Sequence, residues 1–195
     1  STRSPREVQD PDKQLRDVRE SLNRFMARAW RRPPTTAEVD RFVALFDSER
    51  KSGESPRAAY LAAMSGVLTS RNFYYLVEGT ADSQRQQISD WELASRLSYF
   101  LWSSLPDAEL SELAAKKQLT ANLGAQVRRM LKDPKATALV DNFAMQWLQL
   151  GRMQTVAPDS KLFPTFNEPL RAAMVEETKL FLGELIRDDR SLLDL

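Results

Sequence analysis

Apolar side chains in this chain recur at every third or fourth position, in stretches bounded by capping residues and prolines. That period is what a chain needs to bury one stripe of an α-helix. From Asp12 onward, Leu15, Val18, Leu22, Phe25, Met26 and Trp30 fall at helical spacing, and Pro33 with Pro34 ends the run. Thr35 and Glu38 have the spacing of a capping box, ahead of a second face of Val39, Phe42, Val43 and Phe46. Gly53 marks a turn. Ser55 and Pro56 then open a third helix with Tyr60, Ala63, Met64, Val67 and Leu68 on one stripe. A short aromatic segment, Phe73 to Tyr75, trails it.

The pattern restarts at Ser89 and Glu92, a second capping box, followed by Leu93, Leu97, Phe100 and Leu101. Pro106 and Asp107 break that helix and start a short one to about Ala115. Thr120 is expected to cap the next, with Val127, Met130 and Leu131 inward. Asp133 and Pro134 open another, in which Leu139, Phe143, Trp147 and Leu150 face one way. A long loop is expected from Gly151 to Phe166. Asn167 then caps a last helix with the stripe Leu170, Met174, Thr178, Phe181 and Leu185. No stretch alternates with period two for long, and no tandem repeat is evident.

The expected fold is therefore all-α, with two small helical subdomains, about eight helices and no sheet. The expected boundaries are a tail over 1–11, a three-helix subdomain over 12–78, a polar linker over 79–88 and a second helical subdomain over 89–195. The sequence opens on Ser1 and no signal peptide is expected in it. It closes on Leu192, Leu193, Asp194 and Leu195, a pattern expected of an element cut short. No run approaches the about 20 apolar residues of a membrane span.

Composition narrows the chemistry. Among 195 residues there is no Cys and no His. Disulfides, thiolate nucleophiles and cysteine metal sites are excluded within the chain, as are serine or cysteine triads and haem ligation through His. The net charge is +1, which gives no long-range attraction to nucleic acid or an anionic membrane. Of 28 basic residues 20 are Arg. Four of them, Arg24, Arg28, Arg31 and Arg32, cluster at the end of the first helix. They fit the dipole there, and a phosphate or acidic-partner site is the sharper alternative.

Carboxylates are the acids and bases that remain. Glu177 and Glu184 are seven apart on the last helix and share a face, so they could present paired oxygens to a substrate or a divalent cation. A solvated face with Lys179 and Arg187 as partners is the plainer reading. Asp188, Asp189 and Asp159 offer oxygens for calcium, without an EF-hand pattern. Arg96 lies at the margin of an apolar stripe, either as an ion-pair anchor or reaching to solvent. Trp91, Tyr99, Phe100 and Trp102, with Phe143 and Trp147, could form a carbohydrate-stacking platform, but packing between two helices accounts for them more simply. No catalytic residue, metal site or cofactor is expected within this fragment, which as an isolated piece is not expected to be an enzyme.

Several strings carry a resemblance: RAWRRPPTTAEVDRF from Arg28 to Phe42, VLTSRNFYYL from Val67 to Leu76, ELASRLSYFLWSSLPDAEL from Glu92 to Leu110, and DNFAMQWLQL from Asp141 to Leu150. Phe163 to Leu195 continues it. Together they resemble two adjacent domains of unknown function, fifteen-ninety-five over about residues 15–78 and fifteen-ninety-two over about 88–195, of exported planctomycete cytochrome-c-domain proteins. The resemblance implies a soluble, periplasmic or exported protein, with a c-type haem domain elsewhere in a longer chain. Other domains of that polypeptide, or a cell-envelope protein, are then the expected partners. No membrane insertion and no nucleic acid are expected. The leading expectation is an interaction or scaffold module. A part-contributed enzyme site through Glu177, Glu184 or Arg96, and a glycan- or cation-binding module, are the alternatives.

Overall fold

A computed structural model describes residues 11–76, 78, 87–191 and 193. The tail expected over 1–11 and the linker expected over 79–88 lie almost wholly outside them. Among the described residues the regular elements are all helical and there is no strand. The chain divides into two compact units, Ser1–Glu92 and Leu93–Leu195.

The first unit contains α1 (Pro11–Ala29), α2 (Thr36–Lys51), α3 (Pro56–Leu68) and α4 (Arg71–Tyr74). Local chemistry sets the helix starts. The Thr35 hydroxyl accepts the Glu38 N–H at 3.3 Å, and the Glu38 carboxylate accepts the Thr35 N–H at 2.7 Å. Ser55 caps α3 by accepting the Ala58 N–H at 3.2 Å. One core joins the three long helices: Leu22, Met26 and Trp30 meet Val39, Phe42, Phe46, Ala59, Ala63 and Val67. The expected stripe of α3 holds, with Ala63 and Val67 buried and Tyr60 and Met64 packed against the core; Ala59 joins it and Leu68 is left exposed. Gly66 lets α3 close on α2, because a Cβ there would lie 3.1 Å from the Phe42 ring and 3.3 Å from Leu45.

Two arginines of the basic cluster tie the α1–α2 corner. Arg31 takes a left-handed conformation, φ 59°. Its guanidinium donates to the backbone carbonyls of Asn72 at 2.9 Å and Tyr75 at 3.0 Å. Arg32 grips Glu38 through two bonds of 2.7 and 2.9 Å. That grip, reinforced by the Thr35 cap, outweighs partial burial and lowers the Glu38 carboxyl to about 2. Arg24 pairs with Glu20 at 2.7 Å. Three of the four clustered arginines are thus engaged within the fold.

The second unit holds α5 (Asp90–Trp102) from Leu93 onward, then α6 (Ala108–Ala115), α7 (Leu123–Lys132), α8 (Thr137–Leu139), α9 (Met145–Trp147) and α10 (Glu168–Arg187). The second capping box is present: Ser89 N–H donates to Glu92 at 2.6 Å, and Glu92 N–H to the Ser89 hydroxyl at 3.3 Å. On α5 the buried residues are Ala94, Ser95, Ser98, Leu101 and Trp102. Phe100, expected inward, is exposed. Thr120 falls inside a 3-10 turn, Thr120–Asn122, rather than capping α7. Asp107 caps α6 through the Leu110 N–H at 2.9 Å and pairs with Arg129 at 2.7 Å. Burial works against the Asp107 charge, but the Arg129 and cap bonds prevail and hold its carboxyl below the ordinary range. Trp102 is buried beneath them, donating to the Met130 carbonyl at 3.0 Å.

Helix ends show one departure from the usual residue choice. Gly53 closes α2 at φ 97°, as a glycine C-cap should. Lys117 and Asp189 hold the same left-handed position after α6 and α10, at φ 55° and 49°. Behind them Gln118 N–H bonds Leu113 O at 2.9 Å, and Arg190 N–H bonds Leu185 O at 3.0 Å. Neither stop carries the glycine that marks such an end in sequence.

Candidate functional site

The segment after Asp133 was expected to form one regular helix. Asp133 does cap it, accepting the Lys135 N–H at 2.9 Å. It then runs as a 3-10 turn, α8, a π turn over Val140–Ala144, and α9. The Met145 N–H bonds the Val140 carbonyl, five residues back. Accommodating an extra residue in a turn rotates everything downstream by roughly 100°. Leu139 is buried as expected, with Val140 beside it, and past the turn the inward position passes from Phe143 to Ala144. Phe143 and Trp147, expected in the core, are 50% and 54% exposed. Their rings stack on each other instead, centroids 5.8 Å apart and planes at 20°. Asn142, within the π turn, donates to the Ser103 hydroxyl at 2.6 Å.

The loop expected from Gly151 begins as a 3-10 turn, Leu150–Gln154. Helix α10 follows, with its first turn capped by Asn167 through the Leu170 N–H at 2.9 Å. Only Leu185 of its expected stripe is buried. With Leu182 it meets Val140 and Ala144, and Ile186 packs alongside. Leu170, Met174 and Phe181 are exposed. At roughly 100° per residue these three lie within about 40° of one another, so they form one apolar face along α10. Leu162 and Phe163, in the approach to α10, are exposed as well.

On another face of α10 lies a groove of about 610 Å³, floored by Leu131, Val140, Leu180 and Ile186. Its rim carries an ion pair, with Lys179 Nζ 2.5 Å from Asp141 and 3.8 Å from Glu176. The Asp141 hydrogen bond raises the Lys179 ammonium above its ordinary value. Lys179, expected beside Glu177 and Glu184, is engaged here instead.

Glu177 and Glu184 do share a face of α10, and both are exposed. Neither lines the groove. Arg96 is exposed on α5 and does not line the groove either. These three residues thus do not converge there. Asp159 accepts the Lys161 N–H at 2.8 Å. Among the described residues no group of three or more Asp, Glu, His or Cys could hold a metal ion. No described helix is long and apolar enough to cross a membrane.

Among the pairs that the sequence did not reveal are Asp107 with Arg129 and Asp141 with Lys179. Their members lie 22 and 38 positions apart, too far for a helical-spacing rule to connect them. The chemistry this region offers is contact: an apolar helix face, a stacked aromatic pair and a groove with a balanced ionic rim.

Residues 88–195 match the family model described as PSD4, protein of unknown function (DUF1592). Residues 17–78 match the one described as PSD5, protein of unknown function (DUF1595). The order and extents agree with the resemblance read from the sequence. No curated protein and no solved structure matches the chain.

Proposed function

This chain belongs to the DUF1592 family of unknown function, and we propose that it is a helical interaction and scaffold module of a larger exported, haem-linked protein. The observation that carries the reading is the apolar face Leu170, Met174 and Phe181, together with the exposed Phe143–Trp147 stack. Exposed large apolar side chains grouped on one helix face mark an interaction site. The occupant we assign to it is another domain of the same polypeptide. The chain's own resources favour contact over catalysis, since it has no His or Cys and Glu177 and Glu184 stand outside the groove. The exported and haem-linked context rests on the likeness to planctomycete cytochrome-c-domain proteins.

Lysine-directed cross-linking with mass spectrometry in the native host tests the assignment. Lys161, next to Leu162 and Phe163, should cross-link to segments outside these 195 residues. A Met174→Glu/Phe181→Glu variant should lose those links while staying folded. Links confined to this chain, or links that survive the double substitution, would overturn the reading. Links to a second copy would reassign the face to self-association. Cell fractionation should find the protein outside the cytoplasm, and a cytoplasmic pool alone would remove the export element.

A further inference from the structure

A second cavity, in the first unit, has a different character. It is a half-open cleft of about 740 Å³ between one face of α2 and the end of α3 with α4. That volume lies within the roughly 300–1,000 Å³ of small-molecule sites. Glu38, Arg41, Phe42 and Leu45 share a face of α2, at the i, i+3, i+4 and i+7 spacing of one helical stripe. Opposite them are Gly66, Arg71 and Asn72. Gly66, packed closely against Phe42 and Leu45, lines the same wall.

The charges decide the ligand. Glu38 is neutralised by the two-pronged Arg32 contact, and Asn72 Nδ2 points to it at 3.5 Å. The Thr69 and Ser70 hydroxyls spend their protons on the carbonyls of Ser65 and Val67, at 3.0 and 2.6 Å. Arg41 and Arg71 make no ion pair among the described residues, and both are exposed at the cavity's edge. The cavity therefore has an apolar floor, a neutralised carboxylate and two guanidinium groups left to donate. Guanidinium forks match a planar carboxylate in geometry and charge.

We infer that this cavity of the first unit binds a small organic carboxylate, with its acid group on Arg41 and Arg71 and its apolar body against Leu45, Phe42 and Gly66. The inference is independent of the docking face on the second unit. Isothermal titration of the chain with 4-phenylbutyrate tests it, with 4-phenylbutyramide and inorganic phosphate as comparisons. Saturable binding of 4-phenylbutyrate is expected, weakened about tenfold or more in the amide and in Arg41→Gln/Arg71→Gln. Each single variant should weaken binding by a smaller factor, which keeps the test usable should the double variant fold poorly. Phosphate should bind more weakly than 4-phenylbutyrate, since it lacks the apolar body. Backbone amide shifts in NMR should centre on Gly66 and Leu45. Absence of saturation with 4-phenylbutyrate, equal affinity for the amide, equal affinity of a well-folded double variant, or shifts centred elsewhere would each overturn the inference. Equal affinity for phosphate would reduce the site to a pair of surface cations and overturn it too.

Discussion

The core of the first unit and the region around α10 have similar raw material and use it differently. In the first, Phe46, Phe42, Trp30 and Met26 all point inward and meet in one cluster. Around α10 the buried cluster is Val140, Ala144, Leu182 and Leu185, while Phe143, Trp147, Phe163 and Phe181 stay exposed. Three long helices of the first unit supply mutually facing stripes. In the second region α10 meets α7 and the irregular turns around α8 and α9, and among the described residues part of its apolar face goes uncovered. Apolar periodicity marks what can be buried, and only a partner surface decides whether it is.

The largest expected effect tests the first half of that contrast. Phe46 is 1% exposed, and Phe46→Ala should cost about 3–5 kcal/mol in urea titration. A loss under about 1 kcal/mol would mean the core is not packed as described. Next comes the Arg32–Glu38 pair. The folded-state Glu38 value is depressed from 4.5 to about 2. Its stabilisation is therefore present above the ordinary value and is lost as pH falls toward the lower one. Glu38→Gln should cost about 1–2 kcal/mol at pH 7, allowing for solvent screening, and flatten the pH dependence of stability between those limits. An unchanged acid limb in the variant would separate the pair from the stability of the corner.

Trp147→Ala probes the other side of the comparison. Its ring is half exposed and stacked only on Phe143 among the ring contacts described, so a loss of about 1 kcal/mol is expected. A loss near that of Phe46→Ala would erase the contrast. Smallest of all is Leu180→Ser. At 62% exposure it should change stability by about 0.5 kcal/mol or less in thermal melts.

Much of the fold was legible because helix starts are local. Thr35 with Glu38, Ser55 with Pro56, Ser89 with Glu92, Asp107, Asp133 and Asn167 each cap the turn that follows them. A cap needs only three or four consecutive residues, so the sequence carries the whole signal. Helix stops were harder, since Lys117 and Asp189 occupy left-handed positions that sequence logic reserves for glycine. The candidate site was less legible. Glu177 and Glu184 could be placed on one face, but spacing does not say what that face meets. Arg31 reads as one more cation at a helix end until its carbonyl partners, 41 to 44 residues away, are seen.

By itself the sequence determined an all-helical chain, where most of its helices begin, and a chemistry without histidine or thiol. Those properties depend on residue identity and short-range spacing. The tertiary structure decided which apolar faces are core and which remain on the surface. A single π turn at Val140–Ala144 shifts the register enough to bring Phe143 and Trp147 outward, and among the described residues Leu170, Met174 and Phe181 of α10 stay exposed. Register and coverage depend on what packs opposite, and no local pattern encodes that.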